Sequence, residues 1–279
     1  MDLSKEFVLI LTKINNQKAS LLGEEIKNWL LKRSIEAEII STAEFSGIES
    51  LKKRPNFLIV LGGDGTVLST IHKLIPKNLL PILGFNLGRV GFLTTSDPEK
   101  WQETLEKILL KKFEITSYMM LNYKVIRDNK EISQGLVVND IVIGRYKIAR
   151  LVELQLWYDD IEIGKLRADG LIVTTPLGST AYAWAAGGAL IDPCIKAYEI
   201  CPVCQFLTNI RPLILPSNKT LRVKIVSPLK GFILTLDGQK EVHLKPYDVV
   251  EIREAKEVVH FIQTKPTSYI ERLKAKGYI

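Results

Sequence analysis

No stretch of this 279-residue sequence approaches the roughly 18 consecutive apolar residues that a membrane helix needs, so a membrane-spanning helix is not expected. The opening is interrupted by Asp2, Lys5 and Glu6, and the apolar run of residues 7–11 is too short for a signal-peptide core. The expectation is therefore a soluble chain that works in the cytoplasm. Cysteine is scarce, and three is an odd number, which excludes a disulfide framework and suits a reducing compartment. Cys201 and Cys204 form one CxxC with no second pair, and His72, His243 and His260 are scattered. No zinc-type ligand array is read from them, and Cys194, Cys201 and Cys204 are expected to be free thiols. A GxSxG elbow and a Ser-His-Asp order are also missing, which removes the common serine hydrolases. The charge excess is small, 38 basic against 31 acidic residues, or +7. That suits an acidic ligand such as a nucleotide. Without aromatic residues interleaved among the basic ones, it does not make a nucleic-acid binder.

What is present is ordinary globular composition, 46% hydrophobic and 25% charged, in a chain long enough for one large or two medium domains. Over residues 1–112 the pattern alternates. Apolar runs at 7–12, 35–40, 57–61 and 81–85 read as buried strands, with helical spacing at 20–33, 67–74 and 98–111. Strands alternating with helices imply parallel βαβ units, hence an α/β domain with a doubly wound, Rossmann-like sheet. From residue 113 to 263 short strands follow one another, at 122–127, 135–143, 150–158, 161–166, 171–175, 221–226, 232–236, 249–253 and 258–264. This reads as an all-β, sandwich-like domain with one helix inserted at 179–186. A terminal helix is expected at 268–276, and residues 264–279 are taken to complete the first domain.

Three clusters carry chemistry. Gly62-Gly63-Asp64-Gly65-Thr66 lies between a strand and a helix, at the sheet edge where open α/β folds bind ligands. Glycines let a phosphate approach the backbone, and helix-terminal N–H groups favour its charge, so Gly62, Gly63, Gly65 and Thr66 are read as a phosphate loop. Asp64 is the odd member. A carboxylate there repels phosphate unless it holds a metal or accepts a proton; the alternative is that it only caps the following helix. In the second cluster, Arg167 and Asp169 precede a strand that ends in Thr175-Pro176-Leu177-Gly178-Ser179-Thr180-Ala181-Tyr182. This is a polar close-approach loop, or else a helix cap followed by core packing. In the third, Asn139-Asp140 sits between two apolar triplets, as a site wall or as a bulge with structural hydrogen bonds.

In this order, and together with residues 84–93, Gly187-Gly188, Arg211-Pro212-Leu213 and Asp237-Gly238-Gln239, these clusters resemble the NAD kinase family along nearly the whole chain. Members of that family phosphorylate the adenosine 2′-hydroxyl of NAD to form NADP. The resemblance implies ATP or polyphosphate as donor and Mg²⁺ or another divalent cation, with no metal ligands assignable from the sequence. It also implies a homodimer or homotetramer with sites built partly across subunits. By position it makes Asp64 the proton acceptor and places Asp64, Gly65, Phe92, Asn139, Asp140, Arg150, Arg167, Asp169, Thr180, Ala181, Tyr182, Ala183, Trp184, Ala185 and Gln239 against NAD. Asn139 and Asp140 would meet the adenosine, and Phe92 would wall the adenine pocket. Three positions depart from the family pattern. Ala185 stands where many members carry Ser, Ser69 where many bacterial members carry a basic residue, and Gln205 in place of a common His. The alternatives are a lipid kinase that shares the GGDGT motif and a dinucleotide-binding regulator without activity.

Overall fold

The structure, a computed structural model, describes residues 7–75, 79–88, 91–146, 151–207, 209–228, 231–265 and 268–279. The chain divides into two compact units, Met1–Ser117 with Val259–Ile279, and Tyr118–Val258.

In the first unit β1 (Phe7–Thr12), β2 (Glu36–Ser41), β3 (Phe57–Gly62) and β4 (Ile82–Asn86) are parallel and ordered β2-β1-β3-β4. Every residue of β1 and β3 is buried, as their unbroken apolar runs require of a sheet covered on both faces. The connecting helices are α1 (Gln17–Leu31), α2 (Asp64–Leu74) and α3 (Trp101–Leu109). Helix α1 begins three residues earlier than its apolar spacing predicts because the Asn16 side chain accepts the Ala19 N–H at 3.0 Å and caps it. It buries Ala19, Gly23, Ile26 and Leu30, and Trp29 meets Trp101 of α3 edge to face at 5.9 Å. The end of the last strand, β16 (Val249–Gln263), returns to this unit, where Phe261 pairs in parallel with Ile82. The terminal helix α5 (Tyr269–Ala275) follows.

The second unit is an antiparallel sandwich. One sheet runs β12 (Leu213–Pro216), β11 (Ala197–Val203), β10 (Gly170–Thr174), β7 (Asp140–Arg145), β14 (Phe232–Leu236), β15 (Lys240–Leu244). The other contains β9 (Ile161–Ala168), β8 (Val152–Tyr158), β13 (Leu221–Ile225), the start of β16, and the hairpin of β5 (Glu114–Arg127) with β6 (Lys130–Val137). Leu121, Val125, Leu154, Val223 and Val250 from this sheet share one core with Ile141, Ile143, Leu171, Val173 and Leu234 from the first.

Four expectations are corrected. The single strand read over 135–143 is two, β6 and β7, which belong to different sheets; Val138-Asn139 carries the chain across. The strands read at 249–253 and 258–264 are one continuous β16. The helix read over 179–186 is a 3-10 turn, Leu177–Thr180, followed by the four-residue α4 (Tyr182–Ala185). Strands β11, β12 and β15 were hidden in the sequence. Pro202 argues against a strand, yet β12 covers only Ala197–Ile200 of β11, so the proline lies past the last residue that needs an N–H on that side.

Candidate active site

Asp64 is the first residue of α2, and Gly63 occupies the cap position before it. Its carboxylate does not cap the helix. Oδ1 accepts the N–H of Leu93 at 3.1 Å, the N–H of Thr94 at 3.0 Å and the Thr94 hydroxyl at 3.0 Å. Oδ2 accepts the Phe92 N–H at 2.7 Å and faces the Lys276 ammonium at 4.0 Å. The capping reading is thereby excluded. A carboxylate can accept about four hydrogen bonds, and here the load is uneven: Oδ1 is saturated and Oδ2 is open on one side. Two glycines shape this cradle. A Cβ on Gly91 would overlap the Asp64 carboxylate, and one on Gly62 would overlap the Thr66 side chain. Gly63 and Gly65 have open space where a Cβ would project, which leaves the loop bare for a ligand. Thr66 closes the first turn by accepting the Gly63 N–H at 3.4 Å. Ser69 lies farther along α2, half-buried.

Phe92 is buried, with Tyr278 edge-on at 5.6 Å, Tyr269 at 6.4 Å and the Lys276 ammonium 4.8 Å from its ring centroid. Burial and the Asp64 charge push the Tyr278 hydroxyl above its usual range.

A second polar centre lies in the other unit, where the chain crosses from β6 to β7. The Asp237 carboxylate gathers three consecutive backbone donors, Val138 at 2.8 Å, Asn139 at 2.7 Å and Asp140 at 3.0 Å. On the opposite side Thr174 Oγ1 and Thr175 N–H donate to the Asn139 carbonyl at 2.9 and 2.8 Å, and Thr175 Oγ1 donates to the Val138 carbonyl at 2.7 Å. Gly178 has to be glycine, because a Cβ there would run into the Asn139 backbone. All these bonds hold the backbone and leave the Asn139 amide oxygen buried without a partner. A buried acceptor in that condition is costly unless something else supplies a donor. Asp140 is nearly inaccessible. Burial first, then the Asp237 carboxylate, push its carboxyl up to about 7, against the pull of the Tyr182 N–H.

The other candidates divide by location. Thr180, Ala181, Tyr182, Ala183, Trp184 and Ala185 follow Gly178 directly, and Ala183 packs into the sheet beside Ile172 and Cys201. Tyr182 and Trp184 are 49% and 42% exposed, so they are not the core residues that the alternative reading required. Beyond them the Glu199 carboxylate, fully buried, accepts the Ala189 N–H at 2.8 Å and fixes the end of the loop. Gln239 is exposed in the β14–β15 turn, where Asp237 and Gly238 both take positive φ. Asp169 pairs with Arg145 at 2.6 Å, and Arg167 pairs with Glu153 at 3.2 Å under Phe206. Thr174 pairs with Asp140, whereas Gly170 pairs with Gly144. The Arg145–Asp169 pair therefore lies at the far end of these strands from Asn139, roughly 15–20 Å away at ~3.4 Å per residue. Arg150 lies outside the described residues. Sequence reading missed Thr94, Arg145 and Lys276. None stands in a motif, and only the folded chain gives each a carboxylate partner.

Among the described residues no group of three His, Cys, Asp or Glu side chains is placed to hold a metal ion. A cation carried on nucleotide phosphates needs only one or two protein oxygens, and Asp64 Oδ2 has that capacity.

Two solved structures share the fold. One, an NAD kinase from Archaeoglobus fulgidus in complex with ATP, matches with a TM-score of 0.79 over 96% of this chain and 99% of that one, at 24% identity. The other, yeast NADH kinase complexed with NADH, matches with a TM-score of 0.84 over 97% and 87%, at 23% identity. The α/β unit and the β-sandwich thus form the two-part fold that these structures share. The models for the ATP-NAD kinase N-terminal domain and the ATP-NAD kinase C-terminal domain match residues 44–113 and 138–264. The NAD kinase of Nitratidesulfovibrio vulgaris (strain Miyazaki F) is 37% identical over 98% of this chain and 96% of its own. The chain belongs to the NAD kinase family, a family of phosphotransferases.

Proposed function

We propose that the protein transfers the γ-phosphoryl group of ATP, or a terminal phosphoryl group of polyphosphate, to the adenosine 2′-hydroxyl of NAD, with Asp64 accepting the hydroxyl proton. One observation carries this reading. The Asp64 carboxylate is turned away from its own helix and clamped by Phe92, Leu93 and Thr94, with one oxygen left open. A ribose hydroxyl is a weak nucleophile at neutral pH, and a fixed carboxylate beside it orients the oxygen and takes its proton as the bond to phosphorus forms. The bond from phosphorus to the leaving phosphate oxygen breaks, and the electron pair departs with the leaving group. The Gly65 N–H, in the first turn of α2, suits the phosphates. Asn139 Oδ1, buried without a partner, suits an adenosine donor, and Asp140 beside it a second. Gly62, Thr66, Phe92, Arg150, Arg167, Asp169, Thr180, Ala181, Tyr182, Ala183, Trp184, Ala185 and Gln239 complete the proposed NAD and phosphate contacts. The separation of Asp169 from Asn139 fits the family habit of sharing sites between subunits, and the working form is proposed to be a homodimer or homotetramer. Mg²⁺ enters on the donor as part of the substrate and offsets its phosphate charge.

Three free thiols agree with a cytoplasmic setting, and no helix among the described residues is long and apolar enough to cross a membrane. Nothing favours the lipid-kinase or regulator readings. Incubation with NAD, Mg²⁺ and either ATP or polyphosphate, followed by an NADP-specific dehydrogenase, tests the proposal. NADP should accumulate; its absence with both donors would refute the reading.

A further inference from the structure

The side chain that faces the open oxygen of Asp64 comes from the far end of the sequence. Helix α5 is fixed at its start by a capping box, in which Glu271 N–H donates to Ser268 Oγ at 3.1 Å and Ser268 N–H to Glu271 Oε2 at 2.8 Å. Tyr269 and Leu273 bury its inner face. Gly277, at φ +71°, ends the helix, and the chain turns back so that Tyr278 N–H donates to the Leu273 carbonyl at 3.0 Å. Lys276 sits at this turn. Its ammonium lies 4.8 Å from the Phe92 ring centroid and only 24% of its side chain is exposed, although a lysine gives up more rotamer freedom than most residues when held in place.

The ammonium stands 4.0 Å from Asp64 Oδ2, too far for a direct hydrogen bond. That gap has the width of a bridging atom. An oxygen about 2.8 Å from both groups fits between them, with the two contacts at roughly a right angle, and it would donate its proton to Oδ2 while accepting from Nζ. We propose that Lys276 is a further catalytic residue, whose ammonium contacts the acceptor hydroxyl oxygen that Asp64 deprotonates. The inference rests on the reading of Asp64 as proton acceptor. As the oxygen attacks phosphorus, its proton goes to Asp64. Lys276 keeps all its protons and stabilises the negative charge that grows on the oxygen and passes to the transferred phosphoryl group. The Phe92 ring, itself packed edge-on against Tyr278, faces the ammonium and favours its position by a cation–π contact.

Lys276→Met keeps the stem and removes the charge. With the full chain, kcat should fall at least about thirtyfold, the range for a lost charged hydrogen bond, while calorimetric NAD affinity and the melting temperature stay close to wild type. Lys276→Ala opens a gap, and millimolar methylammonium should restore part of its kcat in a saturable way while leaving wild type unaffected. A kcat within threefold of wild type for Lys276→Met, or no rescue of Lys276→Ala, would overturn the inference. If Lys276→Met melts early, the rescue of Lys276→Ala decides. Asp64→Asn measured in parallel separates the two readings. Activity retained there removes the proton-acceptor role, whereas activity retained only in Lys276→Met removes the lysine alone.

Discussion

Asp237 Oδ1 accepts the backbone N–H of Asn139 at 2.7 Å, so the turn that presents Asn139 is built by a carboxylate 98 residues away. The same oxygen takes the N–H of Asp140 at 3.0 Å. This arrangement satisfies the backbone where the chain leaves one sheet for the other and frees the Asn139 side chain for another partner.

Asn139→Ala should therefore act on substrate rather than on folding. It removes an acceptor that has no partner within the protein, so the melting temperature should change little. The KM for NAD should rise roughly tenfold or more, as expected when a buried donor on the ligand loses its acceptor at a cost of ~1–3 kcal/mol. A variant that melts early yet keeps its KM would make Asn139 a structural residue.

Asp140 adds a pH dependence to stability. Its carboxyl titrates at about 7 when folded, against 3.8 for an unhindered aspartate, so charging it opposes folding. The unfolded chain loses this proton first, and the contribution of Asp140 to stability declines as pH rises from about 4 to about 7. Asp140→Asn removes the ionisation. The melting temperature of wild type minus that of the variant should fall between pH 5 and 7.5 and level off above, as read by calorimetry. A difference that does not vary with pH would contradict the burial argument.

Phosphate charge leads to the third expectation. Among the described residues no cluster of His, Cys, Asp or Glu is placed to hold a cation, and the cation is expected to come with the donor. Turnover should stop in excess EDTA and return with Mg²⁺, while calorimetric binding of NAD without donor should be unaffected by the chelator. Full activity after chelation would contradict it.

How much was legible beforehand follows from where the information lies. The parallel sheet was readable because β1 and β3 are buried on both faces and so appear as plain apolar runs. Asn139-Asp140 stood out as polar residues between apolar ones, while the turn they form was not legible. They mark a crossing between sheets, and the group that satisfies their backbone, Asp237, is distant in sequence. Strand β15 escaped notice because an edge strand reading Lys-Glu-Val-His-Leu carries little apolar signal. Around Asp64 the glycine loop was legible, while Thr94 and Lys276 were not. Their relation to the carboxylate exists only once β3, β4 and α5 have come together.

The central claim is that Asp64 takes the proton, and Asp64→Asn tests it most directly. Asparagine can keep an acceptor toward Leu93 and Thr94, but it turns an N–H toward that of Phe92. A modest drop in melting temperature is therefore expected in a protein that still folds. General-base catalysis contributes about 10²–10⁴-fold, so kcat should fall at least about a hundredfold, while calorimetry shows NAD binding unchanged or tighter once a negative charge is gone. A folded variant with kcat within a few-fold of wild type would contradict the account.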